Sequence, residues 1–109
     1  MIIAVDFDGT LVDFEYPEIG ESHKELFEAL IKLKKAGHKL ILWTCREGNE
    51  LKAAVDFCKE KGLEFDEVNK NVSESIATYG IDARKVLADF YLDDKGIQPE
   101  DFLKLERNL

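Results

Sequence analysis

No stretch of this sequence stays apolar for the roughly 20 residues needed to cross a bilayer. The short apolar run at residues 1–5 has no basic segment ahead of it and meets a carboxylate at Asp6, so a buried strand is expected there and not a signal peptide. Cysteine is scarce, with two in 109 residues. Without an export signal both are expected to be reduced thiols in the cytoplasm. Cys45 falls at the end of a predicted strand and Cys58 deep in the antiparallel helix after it, which argues against a disulfide. Basic residues are also in short supply: 15 Lys and Arg face 23 Asp and Glu, for a formal net charge of −8. Strong nucleic-acid binding needs clustered Lys and Arg, and membrane-surface binding has the same demand, so neither is expected. A phosphorylated small molecule stays open, because a divalent cation reverses the charge locally at an acidic site. No repeat, linker or low-complexity segment divides the chain, and one domain over residues 1–109 is expected.

Short apolar runs alternate with helical patterns. The first strand is expected at residues 2–5 and an irregular loop or small hairpin at 9–19. A helix is expected from near Ser22, where Ser22 and Glu25 have capping-box spacing, with Leu26, Leu30 and Leu33 on one face and Gly37 as its stop. Residues 39–44 read as the second strand and 49–61 as the second helix, ending at Gly62. A third strand is expected at 64–68, and a third helix over 71–80 capped by Asn71 and Glu74. The fourth strand spans 86–92, and a terminal helix, opened by Pro99, spans 99–107. This alternation predicts an α/β fold: a three-layer, Rossmann-like parallel sheet with helices on both faces. In such open sheets the ligand site lies beyond the carboxyl ends of the strands.

Each predicted strand delivers polar groups to that edge. Asp6 and Asp8 flank Phe7 after the first strand, and a period of two lets both carboxylates point the same way. Thr44 closes the second strand, Asn69 and Lys70 follow the third, and Asp93 and Asp94 close the fourth. Four carboxylates in one place repel one another unless a cation sits among them, and hard oxygen ligands favour Mg²⁺.

The ordered motifs resemble those of the haloacid dehalogenase-like hydrolase superfamily over nearly the whole chain. They are Ile3-Ala4-Val5-Asp6-Phe7-Asp8-Gly9-Thr10-Leu11-Val12, the apolar strand ending in Thr44, a lysine before the last strand, and Asp93-Asp94. The stretches Tyr16-Pro17-Glu18-Ile19-Gly20, Trp43-Thr44-Cys45-Arg46-Glu47-Gly48 and Leu92-Asp93-Asp94 resemble a small group of uncharacterised, capless bacterial and phage members. The resemblance implies a Mg²⁺-dependent phosphatase. In it Asp6 attacks phosphorus to form an aspartyl phosphate, and Asp8 acts as general acid and then base. Asp6, the Asp8 backbone carbonyl and Asp93 or Asp94 hold the metal, while Thr44 and a lysine bind the phosphoryl oxygens.

Lys85 precedes Asp93 by eight positions, roughly 26 Å along an extended strand at ~3.3 Å per residue, so Lys70 is the favoured lysine and Lys85 the lesser candidate. Gly9, Thr10, Arg46 and Asn69 stand as candidate substrate contacts; for Arg46, pairing with Glu47 or Glu50 is an equal expectation. Trp43 and the phenylalanines read as core. There is no room for a cap domain, so the open site suits either a bulky substrate or a small one covered by a second subunit, the acidic balance favouring the small molecule. Two other classes share the residue types: a phospho-accepting receiver domain and a catalytically idle Mg²⁺-binding module.

Overall fold

The computed structural model describes residues 1–72, 88–93 and 102–104. Four strands, β1 (Ile2–Val5), β2 (Lys39–Leu42), β3 (Glu67–Val68) and β4 (Phe90–Leu92), form one parallel sheet in the order β3-β2-β1-β4. Two helices, α1 (Lys24–Lys35) and α2 (Gly48–Glu60), make the crossovers from β1 to β2 and from β2 to β3. Both stop at a glycine in the left-handed region, Gly37 (φ 100°) and Gly62 (φ 89°), where a side chain would strain the turn.

Register sorts the sheet residues by face. Ile3 pairs with Leu40 and Phe90, and Val5 with Leu42 and Leu92. This face packs against Leu26, Leu30 and Leu33 of α1 and against Ala54 and Cys58 of α2. Phe57 bridges the two helices, meeting the rings of Phe7 and Phe27 edge-on, each at 6.2 Å. The other face carries Ala4 and Ile41, both buried, with Val72, Trp43, Ala88 and Tyr91 around them. The expected α/β architecture is therefore present, with the sheet covered on both sides and no cap domain among the described residues.

Several boundaries differ from those predicted. Helix α1 begins at Lys24 with His23 as its N-cap and no side-chain cap, so the Ser22–Glu25 capping box does not form. The chain is still extended at Ser22, which bridges to Val12, and the His23 N–H donates to the Leu11 carbonyl. Strand β2 ends at Leu42 and β3 is only two residues long. The predicted third helix falls mostly outside the described residues. Of the predicted terminal helix, residues 102–104 are helical, with Phe102 fully buried in the core. Asp89 is structural: its carboxylate accepts from the Ile2 N–H (2.6 Å), and its own N–H donates to the Ile2 carbonyl (2.7 Å).

Asp66 pins the loop before β3 to the sheet. It accepts from the Leu40 N–H (2.7 Å) and the Lys34 ammonium (3.1 Å), with Lys39 at 4.0 Å. Partial burial pushes this carboxyl up, but the Leu40 N–H and the two lysines outweigh it and hold it below its ordinary 3.8. A depressed folded value means the stabilisation is complete above the unfolded value and is lost as pH falls through the folded one. Urea unfolding of wild type and Asp66→Asn should show wild type more stable at pH 7, with the gap closing between about pH 5 and pH 2.

Candidate active site

The winding places the polar edge. β1, β2 and β3 advance in one direction across the sheet, and β4 lies on the far side of β1, so the winding reverses between β1 and β4. That reversal opens a crevice at the carboxyl ends of these two strands. Asp6 and Asp93 each follow a paired residue, Val5 and Leu92, and the Asp6 N–H donates to the Leu92 carbonyl (2.9 Å). The two carboxylates thus leave neighbouring strands at the same level.

Asp6 is oriented by its own turn: Oδ1 accepts from the Phe7 N–H (2.8 Å). The Phe7 carbonyl then takes the N–H groups of Thr10, Leu11 and Val12 at 2.9–3.2 Å, while the Gly9 N–H goes to the Val12 carbonyl (2.9 Å). This tight turn fixes Asp8 two residues beyond Asp6. It also consumes two expected substrate contacts. The Gly9 N–H is spent inside the turn, and the Thr10 side chain is fully buried, with its hydroxyl lacking a partner among the described residues. Neither residue lines the cleft between these strand ends.

Thr44 is positioned from β3. Its N–H donates to Asn69 Oδ1 (2.8 Å), and Asn69 adopts a left-handed backbone (φ 54°) that an asparagine tolerates. Asn69 therefore braces Thr44 through its side-chain oxygen. The Thr44 hydroxyl oxygen accepts from the Arg46 N–H (3.1 Å) and keeps its own proton to donate.

Arg46 takes a role that neither sequence expectation anticipated. Its side chain is buried, and it clamps Asp8 with two parallel bonds, Nε to Oδ2 and Nη2 to Oδ1, both 2.8 Å. The remaining N–H groups donate to the carbonyls of Glu18 (2.9 Å), Pro17 (3.3 Å) and Glu50 (3.3 Å). The rings of Phe7 and Tyr16 each lie 5.0 Å from the guanidinium carbon. The hydrogen bonds to Asp8 raise the Arg46 guanidinium further above its ordinary range, so it is a fixed cation. It pairs with Asp8, and not with Glu47 or the Glu50 carboxylate.

These groups meet at a cleft of about 380 Å³ lined by Asp6, Asp8, Thr44, Cys45 and Arg46, with Phe14 and Tyr16 at its rim. Phe14 is 70% exposed and Tyr16 50%, which corrects the expectation that the phenylalanines are all core. Lys70 is exposed and pairs with Glu67 (3.4 Å), and it does not line this cleft. Lys85 and Asp94 lie outside the described residues. Among the described residues no group of three or more His, Cys, Asp or Glu side chains is gathered as a metal cage. The hard-oxygen donors that end on this edge are Asp6, the Asp8 carbonyl and Asp93, a donor type that suits Mg²⁺.

Breaking a buried ion pair from one side leaves an uncompensated charge and typically costs about 3–5 kcal/mol. Arg46→Met should lose about that much by urea unfolding at pH 7, and Arg46→Lys, which keeps the charge but not the fork, should lose less. Adding Asp8→Asn to Arg46→Met should recover part of the loss, because the stranded carboxylate is then gone. The thiols should separate as sharply. Burial pushes Cys58 up to about 12, whereas Cys45 is exposed at the cleft. A colorimetric thiol reagent should titrate one cysteine in the folded protein and two in urea.

A family model for haloacid dehalogenase-like hydrolases matches residues 3–71, which includes Asp6, Asp8 and Thr44. The solved structure of a conserved protein from Bacteroides thetaiotaomicron is 40% identical and superposes with a TM-score of 0.84, over 99% of this chain and 90% of that one. No curated protein matches the sequence. By motif order, by sheet topology and by the extent of the family match, the chain belongs to the haloacid dehalogenase-like hydrolases.

Proposed function

We propose that this hydrolase is a Mg²⁺-dependent phosphatase that works through an aspartyl phosphate on a small phosphate ester in the cytoplasm. The observation that carries the reading is the convergence of Asp6, Asp8 and Thr44 on one cleft at the carboxyl ends of the parallel strands. The Asp6 oxygen not bonded to the Phe7 N–H is the nucleophile. It attacks phosphorus, the ester oxygen leaves, and water later cleaves the acyl phosphate to return the carboxylate. The Thr44 hydroxyl donates to a phosphoryl oxygen, and a lysine ammonium, Lys70 or Lys85, binds another. For Lys70 this requires release from Glu67.

Asp8 is the acid–base candidate, and serving in that role requires one of its oxygens to turn from Arg46 toward the reacting atoms. Mg²⁺ would be held by Asp6, the Asp8 backbone carbonyl and Asp93 or Asp94. Bound there, it neutralises the charge of the phosphoryl group during transfer. With no cap above the cleft among the described residues, a second copy of the chain is the proposed cover for a small substrate. Among the described residues no helix is long and apolar enough to cross a membrane. The receiver-like reading fits less well, because its acceptor ends an inner strand preceded by a separate acidic pair, whereas Asp6 ends the first strand here.

The test is hydrolysis of p-nitrophenyl phosphate by wild type and Asp6→Asn, with Mg²⁺ and with excess EDTA. Wild type should turn over only with the metal, and Asp6→Asn should lose at least about 10³-fold, as removal of a covalent nucleophile does in other hydrolases. Equal rates for the two proteins would sink the aspartyl-phosphate reading.

A further inference from the structure

Phe14 and Tyr16 are the large hydrophobic side chains exposed among the described residues, and both stand at the rim of the cleft that holds Asp6. An aromatic ring left in water beside a polar site gains its apolar contact when a ligand arrives. Their shared position beside the proposed nucleophile points to the substrate as that ligand.

The loop that carries them is held in place. Val12 bridges to Ser22, the Asp13 N–H donates to the Glu21 carbonyl (2.9 Å), and a side chain at Gly20 would run into the Asp13 backbone. The His23 ring closes the same turn, with Nδ1 2.6 Å from the Thr10 carbonyl and Nε2 2.8 Å from Asp13 Oδ1. Arg46 ties down the far side through the Pro17 and Glu18 carbonyls and packs against the Tyr16 ring. A rim anchored at both ends is preorganised, so little ordering cost is left when a ring binds.

A second observation concerns the leaving group. Both Asp8 oxygens are engaged by Arg46, so in this arrangement neither points to a departing oxygen. A phenoxide departs readily without such a contact, its conjugate acid ionising near 10, whereas an aliphatic alkoxide is a far stronger base and needs one.

We propose that the cleft is specific for aryl phosphate monoesters, with the leaving ring held between Phe14 and Tyr16; this rests on the phosphatase reading of Asp6. The Asp6 carboxylate oxygen bonds to phosphorus as the P–O(aryl) bond breaks, and the phenoxide leaves with the bonding pair and takes a proton from solvent. Water then attacks the aspartyl phosphate and the P–O(Asp6) bond breaks. Inorganic phosphate and the free carboxylate result, and the proton from water passes to bulk water, replacing the one the phenoxide took.

The test has a binding arm and a turnover arm, both on the full chain with MgCl₂. Calorimetry compares phenylphosphonate with methylphosphonate on wild type and on Phe14→Ala. Wild type should prefer the phenyl compound, and Phe14→Ala should cut that preference about threefold to tenfold, the scale of one aromatic contact. Turnover compares phenyl phosphate with glycerol 3-phosphate, and Phe14→Ala should lower the aryl-to-alkyl ratio of kcat/KM by a similar factor through KM. Equal binding of the two phosphonates, or a phenyl preference untouched by Phe14→Ala, overturns the proposal. So does a higher kcat/KM for glycerol 3-phosphate, or a Phe14 dependence confined to nucleoside monophosphates. If phenylphosphonate binds preferentially through Phe14 while no ester is hydrolysed, the ring subsite stands and the catalytic reading of Asp6 falls.

Discussion

Burying a guanidinium costs several kcal/mol in lost hydration unless its donors are met, and the Arg46 side chain keeps 1% of its surface exposed. The fold meets that demand by bringing three separate segments to it. The turn after β1 supplies Asp8, the rim loop supplies the carbonyls of Pro17 and Glu18, and the first turn of α2 supplies the Glu50 carbonyl. The rim loop is also tied to the turn after β1 by the Val12–Ser22 bridge and the Asp13–Glu21 hydrogen bond, and Arg46 adds the link from both to α2. The three walls of the cleft therefore meet at one residue that stands two positions beyond Thr44. The same bond that fixes Asp8 also decides which way its oxygens face, so positioning and chemistry are coupled at a single contact.

The frame below the cleft was legible in the sequence because its cause is periodic. Apolar runs at 2–5 and 39–42 with helical patterns between them leave few alternatives to a parallel sheet, and glycines at 37 and 62 mark where the helices stop. Once the strands are placed, the carboxyl-end rule brings Asp6, Asp8, Thr44 and Asn69 to one edge. What the pattern could not resolve is which groups at that edge face solvent and which face one another. Asn69 and Arg46 both read as ligand contacts by position, yet the Asn69 side-chain oxygen braces Thr44 and the Arg46 guanidinium is spent on Asp8 and three carbonyls. A bidentate carboxylate partner for Arg46 was a readable signal, but Glu47 and Glu50 are nearer in sequence than Asp8, and sequence distance misleads where strands run side by side.

The misplaced helix start has a similar origin. Ser22 and Glu25 satisfy the local capping pattern, but the loop has a stronger non-local demand, the return of the chain beside Val12, and that keeps Ser22 extended. Residue type alone assigns Phe14 to the core, yet it is 70% exposed. An apolar side chain in a polar, irregular segment next to a motif is weak evidence of burial, because the segment has no face to hide it on.

Charge accounting at the edge links the site to its proposed metal. Asp6, Asp8 and Asp93 all end on it, and Arg46, the buried cation among the described residues, is matched to Asp8 through two parallel bonds. Thr44 contributes a dipole and no charge. The chain as a whole carries a net −8, so its long-range field repels a phosphate. A dianionic ester can be drawn toward Asp6 only if positive charge arrives with it or is already bound there, and one lysine leaving Glu67 offsets only a single carboxylate. The role of Mg²⁺ in the proposed function follows from this deficit: the side chains described at the cleft can aim a nucleophile at phosphorus, but they do not by themselves supply the charge to hold it there.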